Sequence, residues 1–561
     1  MLAFLIFLTI PLSLLSPVKG MTWVEGHITQ DTVWKLQDSP FVVINNIIVD
    51  VGSTLTIEPG VEVKFGGAFY LSVRGNLSAI GTSAGKIRFT SNKVQPVTGD
   101  WLYLEHAGDI DSALDLRYVR IEYSTSGLLL NTTGPTVVEN CEIMMNKDYG
   151  INIMKMNATL VTDCIINSNG KGIAGRFSTR TLIEEATIVN NVFSSNNEDG
   201  IDIEVARAFG MEELVLKDIV IANNQFYFNG FNGISLQTYN DGGAPVVQNL
   251  EMCDNIIGLN GGAGISIMTA TFGRFETCSI IDNEIYGNAG TGISFGTDYA
   301  GNVNKFIISQ NTLDNNLYGI AFAPHGNIGT IGNGTISLNN ITNTKEAGIT
   351  FRGFGSYHCS VGNLSISNNI LITAKQGIHV DEYMTADFSI SGNYIEGCSE
   401  AGLYLDATSG DLEVISNGIR FGEIGIQAEG AQGTSIYRIL NNTISNNTYG
   451  IMVTHNCINI VQHNNIYDNT YGMQIGIFAS LADARYNYWG DSTGPYHISM
   501  NPGGTCNPVN GNGADLLFIP FLTSPAVIPY VVPEFSALVM FLTIVLATVP
   551  LLILRRKRMK K

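Results

Sequence analysis

A set of ionisable and polar side chains between residues 348 and 429 could carry out acid–base chemistry. They stand at fixed offsets from successive Gly-Ile-x-Ile-type segments and are Arg352, His379, Asp381, Tyr404, Asp406, Gln427 and Glu429. Carboxylates held close together repel one another, which raises a pKa or recruits Ca²⁺. A neighbouring His, Tyr or Arg could take the proton next to a uronate carboxylate, or hold that carboxylate.

These residues divide into candidate catalytic groups and candidate ligand-binding groups. The ligand-binding candidates are Tyr404 and Gln427, and the catalytic candidates are Arg352, His379, Asp381, Asp406 and Glu429. Hydrolysis of a sugar polymer would instead need two carboxylates at a defined separation. The alternative interpretation is a solvated strand face on which Arg352 and His379 neutralise nearby acids.

Residues at equal offsets come together only if successive glycine segments are neighbours in space. The sequence indicates that they are, because the segments recur as a repeat. An Asn-rich turn, an Ile or Phe, and then a Gly-Ile-x-Ile-type segment recur at intervals of about 26.5 residues. The equivalent glycines are Gly127, Gly150, Gly172, Gly200, Gly233, Gly264, Gly292, Gly319, Gly348, Gly377, Gly402, Gly425, Gly450 and Gly472.

Each segment predicts one short strand of a parallel β-helix. Apolar residues alternate with polar ones after the glycine, as at Ile201 and Ile203, which is the period of a strand. One such strand cannot bury its apolar face alone, whereas stacked coils can. We expect glycine at a bend with positive φ and Asn in ladders along the axis. The LxxLxL signature of leucine-rich repeats is absent, and propellers need four strands in a longer repeat.

Both ends of the chain predict export and anchoring. Residues 1–20 form an apolar leader, and residues 535–554 are long and apolar enough to span a bilayer before a basic end. The sequence therefore predicts a location at the outer face of the membrane with one C-terminal anchor. The expected divisions are 1–20 signal peptide, 21–100 N-terminal β cap and first coils, 101–480 repeats, 481–525 closing cap, 526–534 linker, 535–554 transmembrane helix and 555–561 cytoplasmic tail.

Cysteines and Asn-x-Ser/Thr sequons are two further candidate features of the sequence. The eight cysteines have no CxxC spacing, so no zinc site is predicted; no cofactor is expected, and Ca²⁺ is left open. Cys141 and Cys164 lie about one repeat apart, which suits either a disulfide or two stacked thiols. The Asn-x-Ser/Thr sequons of an exported chain could be glycosylated; they begin at Asn76, Asn131, Asn157, Asn333, Asn340, Asn363, Asn441 and Asn446.

Two resemblances follow from these motifs. The runs GSTLTIEPGVEVKFGG, GDWLYLEH and NYWGDSTGPYH resemble the opening and closing coils of right-handed parallel β-helix repeat proteins of cell surfaces. Pro533, Glu534 and Phe535, followed by the apolar run and the Arg/Lys cluster, resemble a C-terminal sorting signal of archaeal surface proteins. That second resemblance implies cleavage near the tripeptide and transfer to a lipid, while an ordinary transmembrane anchor is the alternative.

Related β-helix proteins include polysaccharide lyases, pectin hydrolases, uronate epimerases and copper-maturation proteins, so the resemblance does not select a function. The signatures of pectin hydrolases and uronate epimerases are missing. Copper ligation by Met144, Met145, Met154 and Met156 is one option, and filling of core gaps by these side chains is the preferred one.

The net charge of the chain limits the classes of partner that it can bind. The formal net charge of −19 disfavours nucleic acid, because phosphate binding needs a basic face. We therefore expect a non-catalytic surface protein that is structural, adhesive or glycan-binding, with a surface polysaccharide or another surface protein as its partner. The alternatives are a lyase, hydrolase or epimerase that uses the acid–base residues above, and a copper-enzyme maturation factor.

Overall fold

The computed structural model describes residues 20–155, 157–177, 183–208, 214–241, 244–270, 272–297, 301–324, 330–352, 359–381, 384–406, 409–429, 434–455, 458–476, 479, 481–511 and 516–528. In these ranges the chain is all-β apart from one 3-10 helix, Leu36–Asp38. None of the helical structure in the described part has the length and apolarity needed to cross a bilayer. The predicted leader except Gly20, the Pro533–Phe535 motif and the 535–554 segment lie outside the described residues.

The chain forms a solenoid in which each coil contributes strands to three faces, called faces 1, 2 and 3 in chain order. Every strand pair along a face is parallel, for example Ile201–Ala208 with Ile234–Asp241. Strands Thr22–Ile28 and Phe41–Val49 span faces 2 and 3 of the first coils, so hydrogen bonds join these two faces into one sheet. The predicted parallel β-helix is therefore confirmed.

Face 1 consists of Thr32–Trp34, Thr54–Ile57, Asn76–Ile80, Leu114–Arg117, Thr136–Glu139, Asn157–Thr162, Ile183–Val189, Val215–Ala222, Val246–Cys253, Arg274–Phe275, Cys278–Ile281, Asn302–Ser309, Thr330–Ser337, Cys359–Ser367, Met384–Ser391, Ser409–Ile415, Thr434–Leu440, Ile458–Gln462, Ala482–Asp483 and Leu516–Leu517. Face 2 consists of Glu62–Phe65, Ile87–Ser91, Val119–Glu122, Glu142–Met144, Ile165–Asn167, Val192–Ser194, Gln225–Tyr227, Ile256–Gly258, Glu284–Tyr286, Thr312–Asp314, Asn340–Thr342, Ile370–Ile372, Tyr394–Glu396, Gly418–Arg420, Thr443–Ser445 and Asn465–Tyr467. Face 3 consists of Leu71–Val73, Leu104–His106, Ser126–Asn131, Tyr149–Lys155, Lys171–Phe177, Ile201–Ala208, Ile234–Asp241, Ile265–Thr269, Ile293–Thr297, Ile320–Pro324, Ala347–Phe351, Gln376–Val380, Ala401–Leu405, Ile424–Ala428, Tyr449–Val453, Tyr471–Ile475 and Val509–Asn510.

The core is a continuous column of apolar side chains inside the coils. Ile201 and Ile203 are 0% and 1% exposed, and the equivalent pair in the next coil, Ile234 and Leu236, is equally buried. Phe295, Phe322 and Phe351 stack on successive coils, with ring centroids 5.0 and 4.8 Å apart. The alternation read from the sequence thus gives the correct inward residues, because side chains of a strand alternate between its two sides.

The repeated glycine before each face 3 strand has a different cause from the one predicted. None of the equivalent glycines from Gly127 to Gly472 has a positive φ. A Cβ on Gly319 would instead lie 2.4 Å from the carbonyl oxygen of Gly348 and 2.5 Å from Cγ2 of Ile341. Glycine is required because adjacent coils approach one another too closely for any side chain.

Two ladders of buried asparagines run along the axis. In ladder 1, between faces 1 and 2, each Nδ2 donates to Oδ1 of the asparagine in the next coil, as from Asn311 to Asn339 at 3.0 Å. Ladder 1 contains Asn191, Asn224, Asn255, Asn283, Asn311, Asn339, Asn369, Asn393, Asn417, Asn442, Asn464 and Asn487. Ladder 2, between faces 2 and 3, runs from Asn146 to Asn316 and resumes at Asn447 and Asn469.

Cys141 and Cys164 occupy the two positions that precede ladder 1. Both thiols are free and 1% exposed. The N–H of Cys141 donates to Sγ of Cys164 at 3.4 Å, and the N–H of Cys164 donates to Oδ1 of Asn191 at 2.9 Å. Of the two options left open by their spacing, stacked thiols are therefore observed, and they extend the ladder toward the N-terminus.

A buried histidine makes the N-terminal coils sensitive to acid. His106 is 0% exposed, and its ring nitrogens lie 3.1 Å from Oγ1 of Thr136 and 2.9 Å from Oγ of Ser112. Burial lowers the pKa of His106 to about 4, below its value of 6.5 in the unfolded chain. Because the unfolded chain binds the proton more tightly, stability is full above pH 6.5 and falls as the pH drops toward 4.

We expect this histidine to remove about 3 kcal/mol of stability between those limits. The thermal unfolding midpoint, measured by circular dichroism across this pH range, should fall more steeply for the wild type than for His106→Gln. Equal pH dependence in the two proteins would show that His106 does not cause the loss.

Candidate functional site

The candidate residues on face 3 do stack on one another, and together they are called the face 3 cluster: Arg352, His379, Asp381, Tyr404, Asp406, Gln427 and Glu429. The strand register pairs His379 with Tyr404 and Tyr404 with Gln427 on consecutive coils. Backbone hydrogen bonds continue the stack past the strand ends, from Asp406 N–H to Val380 and from Glu429 N–H to Leu405. Arg352 is exposed, and the other members are half-buried.

Glu429 is held by its neighbours in the cluster. Its Oε2 accepts a hydrogen bond from the Tyr404 hydroxyl at 2.9 Å, and its Oε1 accepts one from Nε2 of Gln427 at 2.7 Å. Burial, together with the charge of Glu429, raises the pKa of Tyr404 well above its ordinary value. Tyr404 therefore keeps its proton at neutral pH and acts as a hydrogen-bond donor.

Arg352 and His379, which the sequence offered as catalytic groups or as neutralisers of nearby acids, each contact a tyrosine. Nη1 of Arg352 donates to the hydroxyl of Tyr318 at 2.6 Å, and its guanidinium lies 5.9 Å from the Tyr318 ring centroid. Burial first, and the charge of Arg352 second, lowers the pKa of His379 to about 4. His379 is thus neutral at pH 7, and its ring meets Tyr404 edge-on with centroids 5.0 Å apart. The burial of His379 explains its neutral state, because desolvation disfavours the imidazolium.

The sequence makes the carboxylates of the face 3 cluster candidate ligands for a metal ion. Across the described ranges, no group of three or more His, Cys, Asp or Glu side chains is placed to hold a metal ion. Asp381 and Asp406 lie just past the ends of successive face 3 strands, and both raise the pKa of Tyr404 through their charge. The predicted recruitment of Ca²⁺ by Asp381, Asp406 and Glu429 has no such group to support it.

Met145 and Met154 do not fill core gaps, which is the role preferred for them from the sequence. Met145 is 39% exposed and Met154 is 52% exposed, while Met144 is half-buried. Met145 lies in the turn after face 2 and Met154 on face 3, so these side chains also do not share one surface. Met156 lies outside the described residues.

The sequons differ in how far their asparagines project. Those at Asn131, Asn333, Asn363 and Asn446 are exposed, and those at Asn76, Asn157, Asn340 and Asn441 are half-buried. Asn76 already accepts a hydrogen bond from Ala113 N–H at 2.8 Å, and Nδ2 of Asn446 donates to Oγ of Ser445 at 3.3 Å.

A groove on the outer surface of face 1 was not predicted. It is called the face 1 groove, has a volume of about 780 Å³, and crosses successive coils between Thr277 and Arg438. Two rows of outward side chains line it. Row a is Thr277, Lys305, Asn333, Asn363, Asp387 and Asp411, and row b is Ser279, Ile307, Thr335, Ser365, Ser389, Glu413 and Arg438.

The centre of the groove is uncharged and its two ends are charged. Asn333, Asn363, Thr335, Ser365 and Ser389 supply amides and hydroxyls that can both donate and accept hydrogen bonds. Exposed Lys305 lies on the N-terminal side of this centre, where Ile307 adds apolar surface that is 46% exposed.

Acids dominate the C-terminal end of the groove. Oδ1 of Asp387 accepts the Asp411 N–H at 2.8 Å, and Oδ2 of Asp411 accepts from Nη1 of Arg438 at 3.0 Å. Exposed Glu413 lies beside them in row b. The groove as a whole offers a long strip of neutral hydrogen-bonding groups bounded by a cation and by acids.

A signal for this groove was present in the sequence. From Lys305 to Asp411, each row a residue is the sixth residue before an asparagine of ladder 1, and each row b residue from Ile307 to Arg438 is the fourth. Offsets counted from the glycines miss these rows, because the segments between faces 3 and 1 vary in length from coil to coil. Positions counted backward from the asparagines of ladder 1 stay equivalent from coil to coil.

The comparisons with known proteins agree with this architecture. The family model described as "Right handed beta helix region" matches residues 43–212, 101–272, 183–363 and 328–480, which together cover more than half of the chain. No curated protein matches the chain.

Proposed function

Because this chain belongs to the right-handed β-helix family, we propose that it is a non-catalytic cell-surface protein that binds an extended polysaccharide along the face 1 groove. Its apolar leader, its apolar C-terminal run and the basic residues after that run support the location. The face 1 groove supports the binding.

The observation that carries the proposal is the match between the groove lining and the surface of a sugar polymer. Sugar hydroxyls both donate and accept hydrogen bonds, as do the amides and hydroxyls of Asn333, Asn363, Thr335, Ser365 and Ser389. These groups recur at the coil spacing of about 4.8 Å, so successive units of a polymer meet the same chemistry. Ile307 offers the apolar contact that the C–H face of a sugar ring needs.

Filling the groove should abolish this binding. We expect Ser389→Trp to raise the dissociation constant for the bound polysaccharide at least about tenfold, or 1.4 kcal/mol, because the indole occupies the centre of the groove. Affinity electrophoresis against neutral, amino-sugar and uronate polysaccharides measures the effect.

Ser294→Trp is the matched control, since it places the same side chain at a half-buried serine on the outside of face 3. If Ser389→Trp binds as tightly as the wild type, or if Ser294→Trp is equally impaired, the groove is not the binding surface.

A second candidate function is β-elimination of a uronate polymer at the face 3 cluster. The observation that favours it is the neutral imidazole of His379 between Arg352 and Tyr404, since a neutral imidazole can accept the proton next to a carboxylate. Arg352 would hold the substrate carboxylate after leaving Tyr318.

Incubation of the purified protein with uronate polymers and Ca²⁺ tests this activity. An unsaturated product, seen by its ultraviolet absorbance, that is lost in both His379→Ala and Asp381→Ala would establish the lyase. The non-catalytic proposal expects no such product from the wild type.

A further inference from the structure

We propose that Asn333 and Asn363 are N-glycosylated, and that their glycans cover the face 1 groove and so regulate its access to other polysaccharides. The regulatory part rests on the proposed function. These two asparagines are exposed and lie on neighbouring coils of the face 1 groove.

Exposure separates these two sequons from most of the others. Asn333 and Asn363 are exposed, and neither amide has a hydrogen-bond partner in the described part of the chain. Asn76 is half-buried and accepts a backbone hydrogen bond, while Asn446 donates to Ser445. The sequon at Asn157 is half-buried, and its Thr159 is 3% exposed.

Strand geometry presents the whole recognition motif outward. In Asn333-Gly334-Thr335 and Asn363-Leu364-Ser365, the asparagine and the hydroxyl residue are two positions apart on a strand, so both side chains leave the same surface. The register pairs Gly334 with Leu364 and Thr335 with Ser365. The two amides therefore lie side by side, about 4.8 Å apart along the axis.

The modification needs a co-substrate that an export pathway supplies. A polyprenyl-phosphate-linked oligosaccharide donates its sugar when the bond between the anomeric carbon and the phosphate oxygen breaks. A new bond forms between that carbon and Nδ2 of the asparagine, the lipid phosphate leaves with the electron pair, and the amide gives up one proton to a base of the transferase.

The glycans would cover the face 1 groove because they are attached to residues that line it. Lys305 lies in row a, one coil before Asn333, and Asp387 lies one coil after Asn363. Sugars attached at these asparagines begin on the uncharged centre of the groove and have its hydrogen-bonding groups within reach. A linked glycan also competes at a high effective concentration against a free polymer.

The experiment compares the full chain made in a host that N-glycosylates exported proteins with the same chain made in a host that does not. Glycopeptide mass spectrometry reads occupancy at each sequon. The rate at which an active ester acylates Lys305 reads coverage of the groove, and exposed Lys345, in the turn after face 2, is the internal control.

We expect occupancy at both Asn333 and Asn363, and acylation of Lys305 several-fold slower in the glycosylated protein with no change at Lys345. Two double variants should each restore the Lys305 acylation rate: Asn333→Gln/Asn363→Gln and Thr335→Val/Ser365→Ala. The first removes the asparagines of both sequons, and the second keeps the asparagines but removes the hydroxyl residues that the transferase needs. Polysaccharide binding is compared only between the glycosylated and unglycosylated wild-type chains, because these substitutions also remove groove side chains, and it should be stronger in the unglycosylated chain.

Two results would overturn the inference. If Asn131 carries a glycan but Asn333 and Asn363 do not, the proposed modification is excluded. If Asn333 and Asn363 carry glycans and the acylation rate of Lys305 is unchanged, the glycans do not cover the groove. Failure of the unglycosylated protein to bind any polysaccharide would instead refute the proposed function, while occupancy and Lys305 acylation still decide the modification and the covering.

Discussion

Asn311→Ala is expected to lower the free energy of unfolding by about 4 kcal/mol, because it breaks ladder 1 in the middle. Oδ1 of Asn311 accepts from both the backbone N–H and Nδ2 of Asn283, each at 2.9 Å. Its Nδ2 donates to Asn339 Oδ1, Ile280 O and Ser309 O. Alanine leaves these buried groups without partners, and each such group costs about 1–3 kcal/mol.

The thermal unfolding midpoint and hydrogen exchange of the flanking strands measure this loss. In a solenoid each coil contacts only its neighbours, so exchange should accelerate first in the coils around residue 311. Asn304→Ala is the matched control, since half-buried Asn304 lies on the face 1 strand that precedes Asn311 and donates a side-chain hydrogen bond to Glu276. Equal losses in the two variants would argue against a special role of the ladder.

Gly319→Ala is expected to destabilise the protein by about 3 kcal/mol through steric overlap. Its Cβ would lie 2.4 Å from a backbone oxygen of the next coil, so the two coils must separate or shift. Hydrogen exchange of strands Ile320–Pro324 and Ala347–Phe351, together with the unfolding midpoint, reports the separation.

Gly418→Ala provides the comparison for this prediction. Gly418 is also in the solenoid, but a Cβ there meets only Cδ2 of Tyr394, at 3.7 Å. We expect little change in Gly418→Ala, because 3.7 Å is ordinary van der Waals contact. Since alanine also lowers the entropy of the unfolded chain, which favours folding, a loss in Gly418→Ala as large as that in Gly319→Ala would show that steric overlap is not the cause.

The fold could be predicted because its rules act over short distances. A period of two within each strand and a glycine in every coil were enough to place Ile201, Ile203 and their equivalents inside. The turn asparagines could be assigned to ladders for the same reason, since equal offsets become neighbours along the axis. The role of glycine was misassigned, because the contact that excludes a Cβ comes from the next coil and leaves no trace in local backbone preference.

The candidate site was only partly predictable, because its chemistry depends on contacts between coils. The stacking of His379, Tyr404 and Gln427 followed from the repeat. The hydrogen bond from Arg352 to Tyr318 and the neutral state of His379 depend on side-chain direction and burial, which an offset does not specify. The face 1 groove was missed since its rows keep register with the asparagines rather than with the glycines.

Ladder 1 also has an orientation. From Asn224 to Asn464, each amide donates to the asparagine of the next coil and accepts from the asparagine of the preceding coil. Reversing a single carboxamide would bring two oxygens together on one side and two NH₂ groups together on the other. The amide dipoles of ladder 1 therefore add head to tail, which gives the interior an electrical polarity along the axis from Asn191 to Asn487.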